Sequence, residues 1–167
     1  PSLGNFLTSL PTFADLAERS RTTTETAVFS PRNFRLQGSE RIETVGGARV
    51  TTGFFRTLGV NARRGRMFTA EEGMEGGPRV VVLTQEYWLR MGGGERDPIG
   101  TVMTLDGEPH EVVGVLPPDF DFLVANVDVW APLTANPRSA SRTQRAYVTL
   151  ARLAPGATME QVRAEAR

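Results

Sequence analysis

Cysteine and lysine are both missing from the 167 residues, and histidine occurs once, as His110. Without cysteine there can be no disulfide and no thiolate chemistry, and any metal site must be assembled from one imidazole and carboxylates. A cysteine-free chain also suits an oxidising compartment. All nineteen basic residues are arginine, which would suit bidentate anion binding but is read more simply as the codon bias of a GC-rich genome. Nineteen acidic residues bring the net charge to zero, so a nucleic-acid partner has no electrostatic support. No run approaches the roughly 18 apolar residues needed to span a bilayer. The opening "PSLGNFLTSLPTF" lacks the basic start and apolar core of a secretory signal. The chain therefore reads as a soluble piece of something longer.

What remains is a globular composition with 40% hydrophobic residues, long enough for one domain or two small lobes with a core that needs no staples. "LPTFADLAERS" predicts a first helix with Thr12 as cap and Asp15 three residues on. "TETAVFSPRNFRLQG" and "ERIETVGGARVTT" predict two strands joined at Gly38-Ser39, with a bulge or bend at Gly46-Gly47. "TTGFFRTLGV" predicts one helical turn, capped by Thr51 or Thr52 and stopped by Gly59, whose Phe54, Phe55 and Leu58 plug a core. "RRGRMFTAEEGMEGGPR" reads as a charged loop with a turn at Ala70 to Gly73. "RVVVLT" reads as a buried strand, and Thr84 caps a helix with Trp88 and Met91 on one face.

Asp106-Gly107 is the strongest hairpin signal, flanked by "GTVMTL" and "EPHEVVGVL". "VDVWAPL" gives a strand stopped by Pro132. A polar linker from Thr134 to Gln144 leads to the strand "RAYVTLARL" and to a helix whose capping box is Thr158 and Gln161. The class is α+β: a helix-and-strand outer lobe, residues 1–59 and 134–167, interrupted by a smaller β-rich lobe, residues 60–133. Phe54 or Phe55 is expected at the junction, against the last strand or the last helix.

The residues that carry chemistry are sparse. His110 shares a strand face with Val112, opposite Glu111 and Val113, and reads as an edge-strand histidine between a solvated Glu108 and Glu111. A metal at His110 would have to recruit Asp119 and Asp121 from beyond Pro117-Pro118, a spacing that matches no ligand motif. Asp119 and Asp121 resemble an acid/base pair for glycoside hydrolysis, yet at i and i+2 they also suit a loop that buries Phe120 and Phe122 and leaves both carboxylates in water. "MGGGERD" lacks the ending of a phosphate loop. Arg63 to Arg66 reads as solvated, with Glu71, Glu72 and Glu75 close behind. No serine sits in a nucleophile elbow. No catalytic, cofactor-binding or metal residue is assigned. Two alternatives stay open: a small secreted hydrolase built on Asp119, Asp121 and His110, and a freestanding binding module that presents Tyr87 or Trp130.

Several phrases in order resemble a known family. "VTTGFFRTLGVNARRGRMFTAEE", "VVVLTQEYWLRMGGGERDPIGTVMTLDGEPHEVVGVLPP", "VDVWAPL" and "ARLAPGATMEQ" are similar to the extracytoplasmic domain of MacB-type ABC transporter permeases, in its short helix before "LGV", its "GR-x-F" with an acidic pair, its "VVGV" strand and its closing "ARL-x-PG". The arginine- and glycine-rich wording is most similar to the permeases of acidobacteria and their relatives. The resemblance covers about Thr12 to the end. It implies a domain on the extracytoplasmic, periplasmic side of the inner membrane, held between the permease's own transmembrane helices. It further implies a porter-like lobe with a β-rich insert, and no chemistry in the domain itself. The implied partners are a cytoplasmic ABC ATPase, a periplasmic adaptor protein and a second permease subunit. The implied role is to couple ATP-driven motion to export or mechanotransmission. Against that pattern, the family's opening strand and the strand after its last helix are expected to be missing.

Overall fold

The computed structural model describes residues 3–122, 124, 126–143 and 146–166. Gln144 and Arg145, the expected end of the polar linker and start of the last strand, lie outside them. The fold is α+β.

The chain begins with a strand where the sequence predicted none. β1 (Leu3–Thr8) pairs antiparallel with β9 (Tyr147–Leu153), from Leu3↔Arg152 to Thr8↔Tyr147. α1 (Leu10–Arg19) follows, and its cap is Ser9 instead of Thr12: the Thr12 N–H donates to Ser9 Oγ at 3.3 Å. Pro11 falls in the first turn, where a missing N–H leaves no bond unmade. β2 (Thr23–Gln37) and β3 (Ile42–Val50) form the expected hairpin. β9 inserts between β1 and β2, antiparallel to both.

α4 (Met159–Glu165) carries the expected capping box of Thr158 and Gln161. Leu16 of α1 and Val162 of α4 pack on Ala151 and Leu153 of β9, which covers one face of this part of the sheet.

Gly46 and Gly47 make neither bulge nor bend, because the β2–β3 register runs unbroken through them. They are required by close approach. A Cβ on Gly46 would lie 1.9 Å from the Asn126 carbonyl oxygen, and one on Gly47 would lie 2.3 Å from the Phe34 ring.

The remaining strands are β4 (Arg64–Gly65), β5 (Val80–Leu83), β6 (Val102–Leu105), β7 (Glu108–Val115) and β8 (Val129–Pro132). β8 pairs with β3, β5 with β8, β7 with β5 and β6 with β7, and β6 returns to β2 through Leu36↔Leu105. Ladder contacts thus close a ring of six strands. The seam is short, and Asp106 fastens it. Its backbone N–H donates to Arg35 O at 2.8 Å, and its Oδ1 accepts the Arg35 N–H at 2.9 Å. Asp106 and Gly107 take φ of 52° and 81°, the left-handed pair that a tight two-residue hairpin needs. Phe34, Val45, Val81, Leu83, Met103, Leu105, Val112, Val129 and Ala131 form one core cluster. Every strand of the ring contributes to it, and it is the ring's interior.

A second cluster lies outside the ring. Val80, Val82, Val113 and Trp130 point away from the interior residues of the same strands. They meet Ala27, Phe29, Leu150 and the two phenylalanines of α2 (Phe54–Leu58). This explains why β5 and β8 read as continuous apolar runs, since both faces of each are covered. Phe54 and Phe55 are 0% and 1% exposed, and they share their cluster with Leu150 of β9, not with Val162 of α4, which lies in the helix-side cluster. Gly59 closes α2 in the left-handed conformation as expected. Its N-cap is Gly53, however, because the Thr51 hydroxyl is used elsewhere, accepting the Val28 N–H at 3.0 Å.

α3 (Gln85–Gly92) is capped by Thr84 as expected, but its buried residue is Tyr87. Met91 is 54% exposed and Trp88 is half-buried. Glu72 was expected in water and is instead buried in the 3₁₀ turn Ala70–Gly73, paired with Arg66. Among the described residues, no helix is long and apolar enough to cross a membrane.

Candidate functional site

Strand phase decides what sits at the ends of the ring. On β2, Arg32 is in phase with Phe34 and Leu36, which belong to the interior cluster. On β3, Arg49 is in phase with Val45. Arg79 stands one step before β5, in phase with Val81 and Leu83. His110 on β7 is in phase with Val112. The directions of the ladders bring all four to the same end of the ring. That end is a mouth rimmed by basic side chains above an apolar interior.

The mouth encloses a cavity of about 200 Å³ whose lining includes Arg49, Arg79, His110, Asp106, Glu108 and Thr134. Arg32 and Arg49 both lie over the Phe34 ring, at 5.0 and 5.6 Å from its centroid. Arg32 is paired with Asp106 at 3.0 Å, and Arg79 lies 3.6 Å from Glu108. Among the described residues, Arg49 has no carboxylate within ion-pair distance; its Nη1 donates to the Pro132 carbonyl at 3.1 Å. Burial and then the neighbouring Arg32 charge hold the Arg49 guanidinium below its ordinary value.

His110 departs from expectation. It is 5% exposed, not an edge histidine in water, because the ring folds over the face it shares with Val112. Its Nδ1–H donates to the Glu108 carbonyl at 2.8 Å, and a carbonyl can only accept, so Nδ1 carries the proton. Burial lowers the imidazole from 6.5, and the charges of Arg49 and Arg79 lower it further.

The other candidates lie apart from it. Asp119 and Asp121 are exposed, while Phe120 and Phe122 turn inward onto Phe29, Phe55 and Trp130. Both aspartates line an open groove of about 800 Å³ between residues 58–63 and 117–121. Asp121 also lines a cavity of about 240 Å³ near the start of α3, where Asp128 accepts from Arg90 Nη2 at 2.7 Å. Neither aspartate lines the mouth that holds His110. The hydrolase reading needed the three to converge, and the fold separates them. Tyr87 and Trp130, offered as exposed ligand-binding aromatics, are 6% and 1% exposed. Burial pushes the Tyr87 phenol up to about 12. Both are core residues.

The basic run Arg63 to Arg66 is dispersed by β4: Arg64 lies over the Trp88 ring at 4.9 Å, and Arg66 donates to both oxygens of Glu72, at 2.6 and 3.2 Å. Among the described residues, no three His, Asp or Glu side chains are grouped to hold a metal ion. The sequence reading missed Arg49 and Arg79. The signal that could have found them is an arginine in phase with the apolar face of its strand.

Comparison with curated proteins finds no match. Several solved structures are similar over nearly the whole chain. The periplasmic region of MacB from Actinobacillus actinomycetemcomitans superposes with a TM-score of 0.70 at 14% identity, covering 98% of this chain and 72% of that one. The extracellular domain of the ABC-type transporter YknZ from Gram-positive bacteria gives 0.66 at 15% identity, covering 96% and 78%. Identities this low establish a shared fold. Membership comes from the sequence profile of the family, which matches residues 4–167. The chain belongs to the MacB-like periplasmic core domain family.

Proposed function

We propose that this chain is the non-catalytic extracytoplasmic domain of an ABC transporter permease, which couples ATP-driven motion of the membrane part to export or mechanotransmission outside the membrane. The observation that carries the reading is the family match over residues 4–167. The fold shared with the periplasmic region of MacB and the extracellular domain of YknZ supports it. The partners in this reading are the permease's own transmembrane helices, a cytoplasmic ABC ATPase, a periplasmic adaptor protein and a second permease subunit. Residues 60–133 form the inserted lobe and residues 1–59 with 134–167 the outer one. β2 pairs with β9 over its first half and with β3 and β6 over its second, and β3 pairs with β8, so motion of one lobe is passed to the other through β2 and the ladders it and β3 make with the insert. The separation of β6 and β7 from β9, which share no ladder among the described residues, supports that division.

The test uses the full permease with its ATPase in a membrane. Arg56 is on the surface of α2, with a side chain 78% exposed, and this stretch has no cysteine to compete for label. A spin label at Arg56→Cys on each subunit should report a subunit-to-subunit distance that changes between the nucleotide-free and ATP-bound states. A distance distribution identical in both states, with ATP hydrolysis intact, would contradict coupling through this domain.

A further inference from the structure

The basic mouth of the ring is unexplained by the family's role. Its charges do not balance: Asp106 answers Arg32 and Glu108 answers Arg79, while Arg49 and His110 are left without a carboxylate. A half-buried guanidinium is costly unless an anion or a set of acceptors meets it. Arg49 has one carbonyl, at Pro132. His110 spends Nδ1 on Glu108 O, and Nε2 makes no hydrogen bond among the described residues. The cavity of about 200 Å³ that both residues line has room for a small charged group and not for a large ligand.

We propose that the mouth is a carboxylate-binding site in which the Arg49 guanidinium and the Nε2–H of His110 hold one anionic group. The excess of one arginine over the paired carboxylates selects a single negative charge. A guanidinium presents parallel N–H groups that match the two oxygens of a carboxylate. Because Nδ1 already carries a proton, a bound carboxylate meets Nε2–H only when the imidazole is protonated. Binding and proton uptake at His110 are therefore linked, and affinity rises as pH falls. The groups that surround the imidazole are Arg49 from β3, Arg79 ahead of β5, Asp106 and Glu108 from the β6–β7 hairpin, and Glu72 from the 3₁₀ turn. Glu72 is held by Arg66 and contributes little net field. The site rests on these residues alone and does not depend on the transporter reading.

The carboxylate has two sources, a free small acid or an acidic side chain of a peptide or protein. Since His110 is the sole histidine, its ring C–H signals in an NMR spectrum need no assignment. The 167-residue chain is titrated with sodium acetate and, in parallel, with sodium chloride at equal ionic strength. An end-blocked peptide whose single charged residue is a central glutamate forms a third arm. Acetate should shift the His110 signals saturably and raise the imidazole's titration midpoint, and chloride should do neither. Arg49→Gln should weaken acetate binding about tenfold or more, and His110→Gln should leave weak binding whose only pH dependence between 5 and 7 is the protonation of acetate itself. Tighter binding of the peptide than of acetate assigns the site to protein side chains, and binding of acetate alone assigns it to small acids. Equal responses of the wild-type chain to acetate and chloride would overturn the proposal. That comparison needs no variant to fold.

Discussion

One strand, β9, serves two unlike regions. Ala151 and Leu153 face α1 and α4 in a small cluster that the buried Leu16 and Val162 complete. Leu150, on the opposite face, belongs to a cluster with Phe29, Phe54, Phe55 and Trp130, onto which Phe68, Phe120 and Phe122 also pack. The helix side is local, joining the two helices to the end of the sheet. The aromatic side draws on β2, α2, the loop after β7, and β8 of the ring. Its rings lie 4.9 to 6.5 Å apart in stacked, tilted and edge-on pairs, an arrangement worth more than the buried area alone. The same sheet is thus sealed lightly on one face and heavily on the other. The heavy face is where the ring meets the outer sheet.

Phe54→Ala is expected to cause the largest loss. The residue is 0% exposed and touches Phe29, Phe55, Phe122 and Trp130, so truncation should cost about 3–5 kcal/mol in denaturant unfolding. Leu16→Ala removes the 4%-exposed anchor of the helix side and should cost about 2–3 kcal/mol, because the site lies at an edge where neighbours can relax. If Leu16→Ala proved the costlier of the two, the contrast between the faces would be wrong.

Asp106→Ala should cost about 1–3 kcal/mol by removing the carboxylate that joins Arg35 and Arg32 across the ring seam. Asp106→Asn should recover part of this, since asparagine tolerates the left-handed turn and still accepts from Arg35. At the small end, Arg56→Ala should stay within about 0.5 kcal/mol of wild type, because its pair with Glu25 is exposed.

A pH scan sharpens the picture of the ring interior. The folded imidazole of His110 lies below 6.5, its value when unfolded. Below 6.5 the unfolded chain therefore binds a proton that the folded chain resists. Stability should be constant above 6.5, fall as the pH drops toward the folded value, and level off beneath it. The melting temperature of His110→Gln should lose this slope. Asp15 and Glu165, lowered chiefly by their hydrogen bonds to Arg142 and Ser20, act only at more acidic pH. A wild-type curve flat from pH 7 to 5 would mean that His110 is hydrated.

Features written in neighbouring residues were legible in the sequence: the Asp106-Gly107 turn, the Thr84 and Thr158 caps, the Gly59 stop and the buried run Val80 to Leu83. Those that depend on distant chain were not. β1 has little strand character of its own and exists because β9 offers it an edge. Gly46-Gly47 looked like a bend because the pressure from Asn126 and Phe34 comes from other elements. His110 looked exposed because only closure of the ring covers it. Its phase with Val112 was visible, but the consequence required knowing that the Val112 face is an interior. Arg49 carried the same hidden signal.

The central claim is that the aromatic cluster couples the ring to the helix-covered sheet. Native-state hydrogen exchange on wild type and Phe54→Ala tests it most directly, comparing the amides of β7 in the ring with those of β9 in the outer sheet. The account predicts that both strands lose the same increment of protection, because one cluster supports both. Loss confined to one strand, with the other unchanged, would show that the two regions stand independently and would contradict the account.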